Sequence, residues 1–291
     1  MPYEYVEPVA QLFRRYGKGG VVIEEATSFN PDEGEAPPSR SSATVRTYMP
    51  ATASYRTNRE MVHIGVSLIA HLHPLPALGE RTVTAEEWES AWKAHFPLLH
   101  VGKRLVISAP FHDYTPREGE VVVQVDPGLA FGTGHHPTTY RSLENLERLL
   151  TPGCRVVDVG SGSGILAIAA AKLGAGAVTG VEIDRVALRV GRANVRANGV
   201  EVVVRCYWGS VPHRRIARAA ADLVLANLNA TVLTGLAPAL REAMKPGGWL
   251  VASGILEDRR SQVERALTEA RLDVREAVLD DDWVTLLAYA G

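Results

Sequence analysis

A glycine-rich turn is the stretch of this 291-residue sequence best suited to hold a small ligand. The run from Arg155 to Val159 has strand character and leads into residues 160–164, which read GSGSG and precede an alanine-rich helix. Glycines in such a turn let a ligand lie against the backbone, because no side chain stands in its way. A second β-rich run then ends at Glu182. This β-loop-α-β unit is typical of nucleoside binding.

The spacing of the glycines argues against phosphate binding. The dinucleotide fingerprint G-x-G-x-x-G requires glycine at position 165, which is Ile165, and no Lys-Ser or Lys-Thr pair follows to make a P-loop. Glu182 can accept two hydrogen bonds from a ribose diol, whereas Asp158 either holds the loop through its N–H groups or faces a cationic ligand group. A nucleoside with a positive charge and no phosphate describes S-adenosylmethionine, with S-adenosylhomocysteine as product.

A polar residue ends the fourth strand of the same region. The strand begins near Asp222 and ends at Asn227, and open α/β sheets bind ligands at the carboxyl ends of their strands. Asn227 is therefore a candidate site residue, with a simple turn or cap as the alternative. Asn229 and Asp184 are each interpreted as the N-cap of the following helix.

Residues 126–139, DPGLAFGTGHHPTT, form a second candidate site region, between a strand and a helix that starts near Pro137. Loops held in this way often carry functional residues, and the helix start offers free N–H groups and the hydroxyls of Thr138 and Thr139. The pair at positions 135 and 136 is His-His, but no third ligand lies at a suitable spacing. The sequence therefore predicts no metal site.

The elements that position these residues alternate regularly downstream of residue 155. Strands are predicted to begin near Arg155, Val178, Val202, Asp222, Trp249, Leu272 and Trp283. Helical patterns between the first six predict a mostly parallel sheet with helices on both faces. Too few residues separate the last two strands for a crossover helix, so the seventh returns antiparallel to the sixth. The predicted fold is α/β, with a Rossmann-like seven-stranded sheet whose last strand is antiparallel.

Three domains or segments are predicted. Residues 1–83 form a small α+β module with helices near 8–16 and 58–72, strands near 21–25 and 45–49, and an exposed loop from 27 to 44. Residues 84–97 form a linker helix, which begins with a T-x-x-E capping box and places Trp88 and Trp92 on one face. Residues 98–291 form the ligand-binding domain.

Composition limits the classes of partner. The 31 basic and 33 acidic residues give a net charge of −2, which predicts no direct contact with nucleic acid or with an anionic membrane. Two cysteines, neither in a C-x-x-C, support no disulfide framework. No leader peptide or membrane-spanning run is recognised, so a cytoplasmic protein is expected, and nothing demands more than a monomer.

Several of these strings together resemble one enzyme family. DPGLAFGTGHHPTT at 126–139, DVGSGSGILAIAA at 158–170, GVEID at 180–184, ANL at 226–228 and KPGGWLVASGIL at 245–256 are similar to the ribosomal protein L11 methyltransferases. These are bacterial class I enzymes that depend on S-adenosylmethionine. The resemblance is strong over residues 84–291.

The resemblance implies a ferredoxin-like N-terminal domain that recognises the ribosomal protein, and methyl transfer to lysine or N-terminal amines. Family cofactor positions fall on Thr139, Gly160, Glu182 and Asn227, beside Asp158 and Gly162 of the glycine loop, with Phe131 and Thr133 in a loop that closes over the site. Asn227 is also the candidate for positioning the acceptor amine.

The chain departs from the family pattern in four places. Glu182 stands where the family usually has Asp, Ser161 replaces the usual Cys or Thr, and Asn229 replaces a more usual apolar or small residue. A first helix near Pro8 also leaves little room for the expected first strand. Two alternatives stay open: a methyltransferase of the same fold with another protein or a small molecule as acceptor, and a non-catalytic S-adenosylmethionine-binding ribosome-assembly module.

Overall fold

The computed structural model describes residues 5–25, 43–71, 74–84, 96–126 and 134–291. The chain divides into two compact units, Met1–Thr84 and Ala85–Gly291. Most of the predicted linker helix, residues 85–95, lies outside the described residues. Within the described ranges, no helix has the length and apolar character needed to cross a membrane.

In its described residues, the first unit has two helices and a two-stranded antiparallel sheet. Its elements are α1 Val6–Tyr16, β1 Lys18–Glu25, β2 Ala43–Tyr48 and α2 Tyr55–Ala70. One apolar face of each helix packs with Val45 of β2 into a small core. Both predicted helices are confirmed, although α2 begins at Tyr55 rather than near Asn58. The ferredoxin-like assignment of this unit stays a prediction.

The second unit is built on a seven-stranded sheet. Its strands are β6 Arg155–Val159, β7 Ala177–Glu182, β8 Val204–Trp208, β9 Ala221–Asn227, β10 Met244–Leu256, β11 Asp273–Asp280 and β12 Trp283–Tyr289. They lie in the order β11-β12-β10-β9-β6-β7-β8, and β12 is antiparallel to both of its neighbours. The remaining neighbouring pairs are parallel. The predicted fold class, including the reversed last strand, is confirmed.

Helices cover both faces of this sheet. They are α3 Pro137–Leu149, α4 Ile165–Lys172, α5 Arg185–Ala197, α6 Ala230–Ala243 and α7 Arg260–Glu269. Side chains of α3, α4 and α5 share one core cluster, and those of α6 and α7 share another. The first six residues of α4, ILAIAA, are all buried, as expected for a helix that is apolar on every side. Burial on both faces also explains the continuous apolar run of β9, residues 223–226.

The prediction of a helix between the third and fourth strands is wrong. Residues 209–220 form turns between β8 and β9. Gly209 and Ala219 both have positive φ angles, and Pro212 removes a backbone donor, so the segment cannot propagate regular i to i+4 hydrogen bonds. The segment nevertheless joins the two parallel strands in the expected order.

A small three-stranded sheet precedes α3 and contributes to the core that α3 and α4 share. It contains β3 Leu99–Val101, β4 Leu105–Ser108 and β5 Val121–Gln124. Asn198, at the end of α5, accepts from the Gln124 N–H at 2.9 Å and donates to its carbonyl at 2.6 Å, so this side chain ties β5 to α5.

Candidate active site

The glycine loop turns sharply from β6 into α4 and is held by the neighbouring strand. The amides of Gly160 and Ser161 both donate to the carbonyl of Val181, at 2.9 and 3.1 Å. Gly164 caps α4 with φ +80°, a left-handed conformation that side chains disfavour. A Cβ on Gly191 of α5 would lie 2.7 Å from the Gly162 carbonyl, so α5 packs directly on the loop. The backbone of the loop is therefore fixed from two sides.

Glu182 lies at the end of β7 and holds the same loop. Its Oε2 accepts from the Gly162 amide at 3.0 Å, and its Oε1 accepts from the Asp184 amide at 2.8 Å. Glu182 is only 8% exposed. An ionised carboxylate has about four acceptor positions, so Glu182 can still accept from a ligand diol while making both backbone bonds. Its role toward ribose stays a prediction.

Asp158, at the penultimate position of β6, is a buried carboxylate without a hydrogen-bond partner among the described residues. Burial raises its pKa to about 7, the negative charge of Glu182 adds to the increase, and the nearby Ala167 amide offsets only part of it. A buried acid left in this state suits a cationic neighbour, because a positive charge would stabilise the ionised form. The Asp158 carboxylate therefore fits the positively charged sulfonium or ammonium group of S-adenosylmethionine.

Asn227 and Thr139 meet although 88 positions separate them in sequence. The Asn227 Nδ2 donates to the Thr139 Oγ1 at 3.2 Å. Thr139 lies in the first turn of α3, where His136 serves as N-cap through a 3.3 Å bond from the Thr138 amide to its Nδ1. Burial lowers the pKa of His136, which favours the neutral ring that this cap requires. The end of β9 and the start of α3 thus form one polar contact.

A hydroxyl network beneath this contact was not predicted. The Thr138 carbonyl accepts from the Ser142 Oγ at 2.7 Å and from the Ser253 Oγ at 3.1 Å, and Ser253 lies 2.8 Å from the Thr285 Oγ1. Ser253 pairs in register with Asn227 on the adjacent parallel strand. Ser253 lies inside β10, three residues before its end, so the position of a residue at a strand end does not mark it.

Asn194 of α5 is a second buried residue that was not predicted. Its Nδ2 donates to the Ser163 carbonyl at 2.8 Å, and its Oδ1 accepts from the Asp126 amide at 3.4 Å. Asn194 thereby links the glycine loop to the first residue of segment 126–139. No short motif marks it, because its partners are backbone groups that are distant in sequence.

The structure therefore brings most of the predicted residues to one edge of the sheet. Asp158 lies near the end of β6, Gly160 and Gly162 follow it, and Glu182 ends β7. Asn227, bonded to Thr139, lies at the end of β9, and β7 and β9 are the two neighbours of β6. The N-caps predicted at Asp184 and Asn229 are confirmed. Phe131 and Thr133 lie outside the described residues. The side chain of His135 contacts the Pro97 carbonyl at 3.0 Å.

Comparison with known proteins agrees with this arrangement. The family model described as ribosomal protein L11 methyltransferase (PrmA) matches residues 1–290. A ribosomal protein L11 methyltransferase from Chloroflexus aurantiacus is 39% identical, over 98% of this chain and 94% of the relative. One from Pelotomaculum thermopropionicum is 41% identical, over 99% and 96% respectively.

This chain is also similar to a solved structure from the same group of proteins. The crystal structure of ribosomal protein L11 methylase from Lactobacillus delbrueckii subsp. bulgaricus has a TM-score of 0.62 and 30% identity, and the match covers 66% of this chain and 98% of that chain. Together with the family match over residues 1–290, these relatives show that the chain belongs to the ribosomal protein L11 methyltransferase family.

Proposed function

We propose that this chain transfers methyl groups from S-adenosylmethionine to ribosomal protein L11, at lysine side chains and at the N-terminal amine. The enzyme class and donor are those of its family, and the family name supplies the acceptor protein. At the level of residues, one observation carries the proposal. Asp158, Glu182 and the Asn227–Thr139 pair converge at the carboxyl edge of three adjacent strands.

The glycine loop and the two carboxylates would hold the donor. Gly160 and Gly162 admit the nucleoside against the backbone, Glu182 accepts from the ribose hydroxyls, and Asp158 balances the positive charge. Thr139 and Asn227 would contact the methionine portion. When bound, S-adenosylmethionine supplies an electrophilic methyl group on a sulfonium.

The acceptor amine must arrive deprotonated and aligned. A lysine amine has a pKa near 10.4, and a desolvated pocket lowers that pKa, so a dedicated base is not required. The Nδ2 of Asn227 is engaged by Thr139, which directs its Oδ1 away from that contact. In the proposed mechanism this oxygen accepts a hydrogen bond from the amine and orients its lone pair for in-line displacement.

The first unit, Met1–Thr84, is proposed to recognise the ribosomal protein. The separation of a binding unit from a catalytic unit is consistent with a large protein substrate. The enzyme is proposed to work as a monomer in the cytoplasm, where ribosomal proteins are made and assembled.

The direct test uses radiolabelled S-adenosylmethionine and ribosomal proteins from a methylation-deficient strain. The expected result is label in one protein, L11, with mass spectrometry placing methyl groups on amines. Asn227→Ala is expected to reduce the label, while Asn229→Ala, which alters only a helix cap two residues away, is the matched control. Label in a different protein, label only in a small molecule, or no label would each contradict the proposal.

A further inference from the structure

Positive charge is concentrated in one part of this nearly neutral chain. Residues 185–218 contain eight arginines, no lysine and a single acidic residue, Glu201, whereas the net charge of the whole chain is −2. The expectation of no nucleic-acid contact rested on that whole-chain value. Electrostatic recognition depends on the local density of charge, which in this region is strongly positive.

Four of these arginines form a stripe along α5. They occupy positions 185, 189, 192 and 196, and at 100° per residue they lie within about 60° of one another around the helix axis. All four are exposed. At 1.5 Å per residue the stripe is about 16 Å long, enough to follow several phosphates of one nucleic-acid strand.

Contacts tie this stripe to β8, the edge strand of the seven-stranded sheet. Arg192 donates through Nε and Nη2 to the Cys206 carbonyl, at 3.0 and 2.6 Å, and the Arg185 guanidinium lies 4.5 Å from the ring centre of Trp208. Trp208 and Cys206 lie on the α5 side of β8, because alternate strand residues share one face. We call this surface the arginine edge; its members are Arg185, Arg189, Arg192 and Arg196, with Trp208 beside them.

The arginine edge lacks the carboxylate partners that other arginines of this unit have. Across the described ranges, none of its four arginines forms an ion pair with a carboxylate. Elsewhere in the unit, Arg141, Arg148 and Arg260 each pair with a carboxylate at 2.7 or 2.8 Å. Unpaired guanidinium groups on one surface are suited to an external polyanion.

We propose that the arginine edge binds the phosphodiester backbone of single-stranded RNA. Guanidinium groups bind phosphate oxygens in a bidentate manner, and Trp208, which is 54% exposed, offers a ring edge on which a base can pack. The choice of RNA rests on the proposed function, because an enzyme that modifies a ribosomal protein works beside RNA. An acidic protein would also complement the positive charge of the arginines, but it would have no base to pack on the Trp208 ring.

The test is a fluorescence anisotropy titration of a labelled 20-nucleotide single-stranded RNA with the full chain, without methyl donor or acceptor. The variant is Arg189→Glu with Arg196→Glu, two positions that lie away from Glu182 and make no described contact with it. Loss of two phosphate contacts is expected to weaken binding at least tenfold at low salt and to reduce the slope of log K against log salt by about 1.4. Methyl transfer to L11 by this variant is measured in parallel, so failure of the proposed function is distinguished from failure of RNA binding.

The matched control is Arg265→Glu with Arg271→Glu, which makes the same change in net charge on and after α7. Retention of wild-type RNA affinity by this control, together with loss in the first variant, supports the proposal. The proposal would be overturned by equal weakening of RNA binding in both variants or by no RNA binding to the wild-type chain. It would also be overturned by tighter binding of DNA of the same sequence, or by binding of polyglutamate in preference to RNA.

Discussion

The two halves of the candidate site differ in charge: one contains carboxylates, and the other contains neutral polar groups. On the side of β6 and β7, carboxylates dominate: Glu182 keeps free acceptor positions, and Asp158 has no partner among the described residues. On the side of β9 and β10, neutral groups bond to one another, with Asn227 on Thr139 and Ser253 between Thr138 and Thr285. The first half offers carboxylate oxygens to a ligand, whereas the polar groups of the second are hydrogen-bonded to one another. We therefore expect the carboxylate half to govern donor affinity and the neutral half to govern turnover.

Removal of the Glu182 carboxylate should have the largest effect. Glu182→Ala loses the predicted ribose contact and leaves the Gly162 amide without its acceptor. Charged hydrogen bonds contribute about 1.5–3 kcal/mol each, so donor affinity measured by calorimetry should fall about 100-fold. Asp184→Ala is the control, because that side chain caps α5 and should cost about 1 kcal/mol of stability with little change in affinity. Equal loss of affinity in the two variants would contradict the assignment.

Asn227→Ala should come next and should act mainly on turnover. The variant loses the proposed amine acceptor and frees the Thr139 hydroxyl, so kcat should fall about 30-fold, or about 2 kcal/mol, with a smaller change in donor Kd. Asn229→Ala, which removes only the N-cap of α6, should leave kcat unchanged. Steady-state kinetics with L11 as acceptor measures both. An unaltered kcat in Asn227→Ala would remove this residue from the mechanism.

Asp158 should make donor binding depend on pH. Its pKa near 7 means that it is mostly protonated at pH 6 and mostly ionised at pH 8, so affinity for a cationic donor should rise about tenfold between these values. Asp158→Asn should abolish that rise. The stability effect has the opposite sign, because the folded-state pKa lies above the unfolded value: the free energy of unfolding of the wild-type protein should fall as pH increases from about 4 to 7. Identical pH profiles of affinity in the two proteins would contradict the assignment.

Ser253→Ala should have the smallest effect. The Thr138 carbonyl keeps its bond from Ser142, and Thr285 loses one neighbour, so the cost should be about 1–2 kcal/mol of stability. The start of α3 would become less constrained, and kcat should fall only a few-fold while donor affinity stays unchanged. Chemical denaturation and kinetics on the same preparation measure both quantities. A loss of donor affinity larger than that of Glu182→Ala would show that the two halves are not separable.

Local patterns in the sequence were enough for the fold and for half of the site. Alternating strands and helices, the glycine turn and the acid at the end of β7 are all set by neighbouring residues. Ser253, Thr285 and Asn194 were missed because their partners come from distant parts of the chain. The helix expected between β8 and β9 does not form, because Gly209 and Ala219 adopt positive φ angles that a helix cannot contain. The net charge of the whole chain did not indicate the arginine edge, because acidic residues elsewhere balance its positive charge.

One measurement tests the separation of the two halves most directly. Donor Kd by calorimetry and kcat at saturating donor are determined side by side for Glu182→Ala and Asn227→Ala, with L11 as acceptor. For Glu182→Ala we expect a large rise in donor Kd, with kcat within a few-fold of wild type. For Asn227→Ala we expect the opposite, a large fall in kcat with a small change in donor Kd. Parallel losses of affinity and turnover in both variants would contradict it.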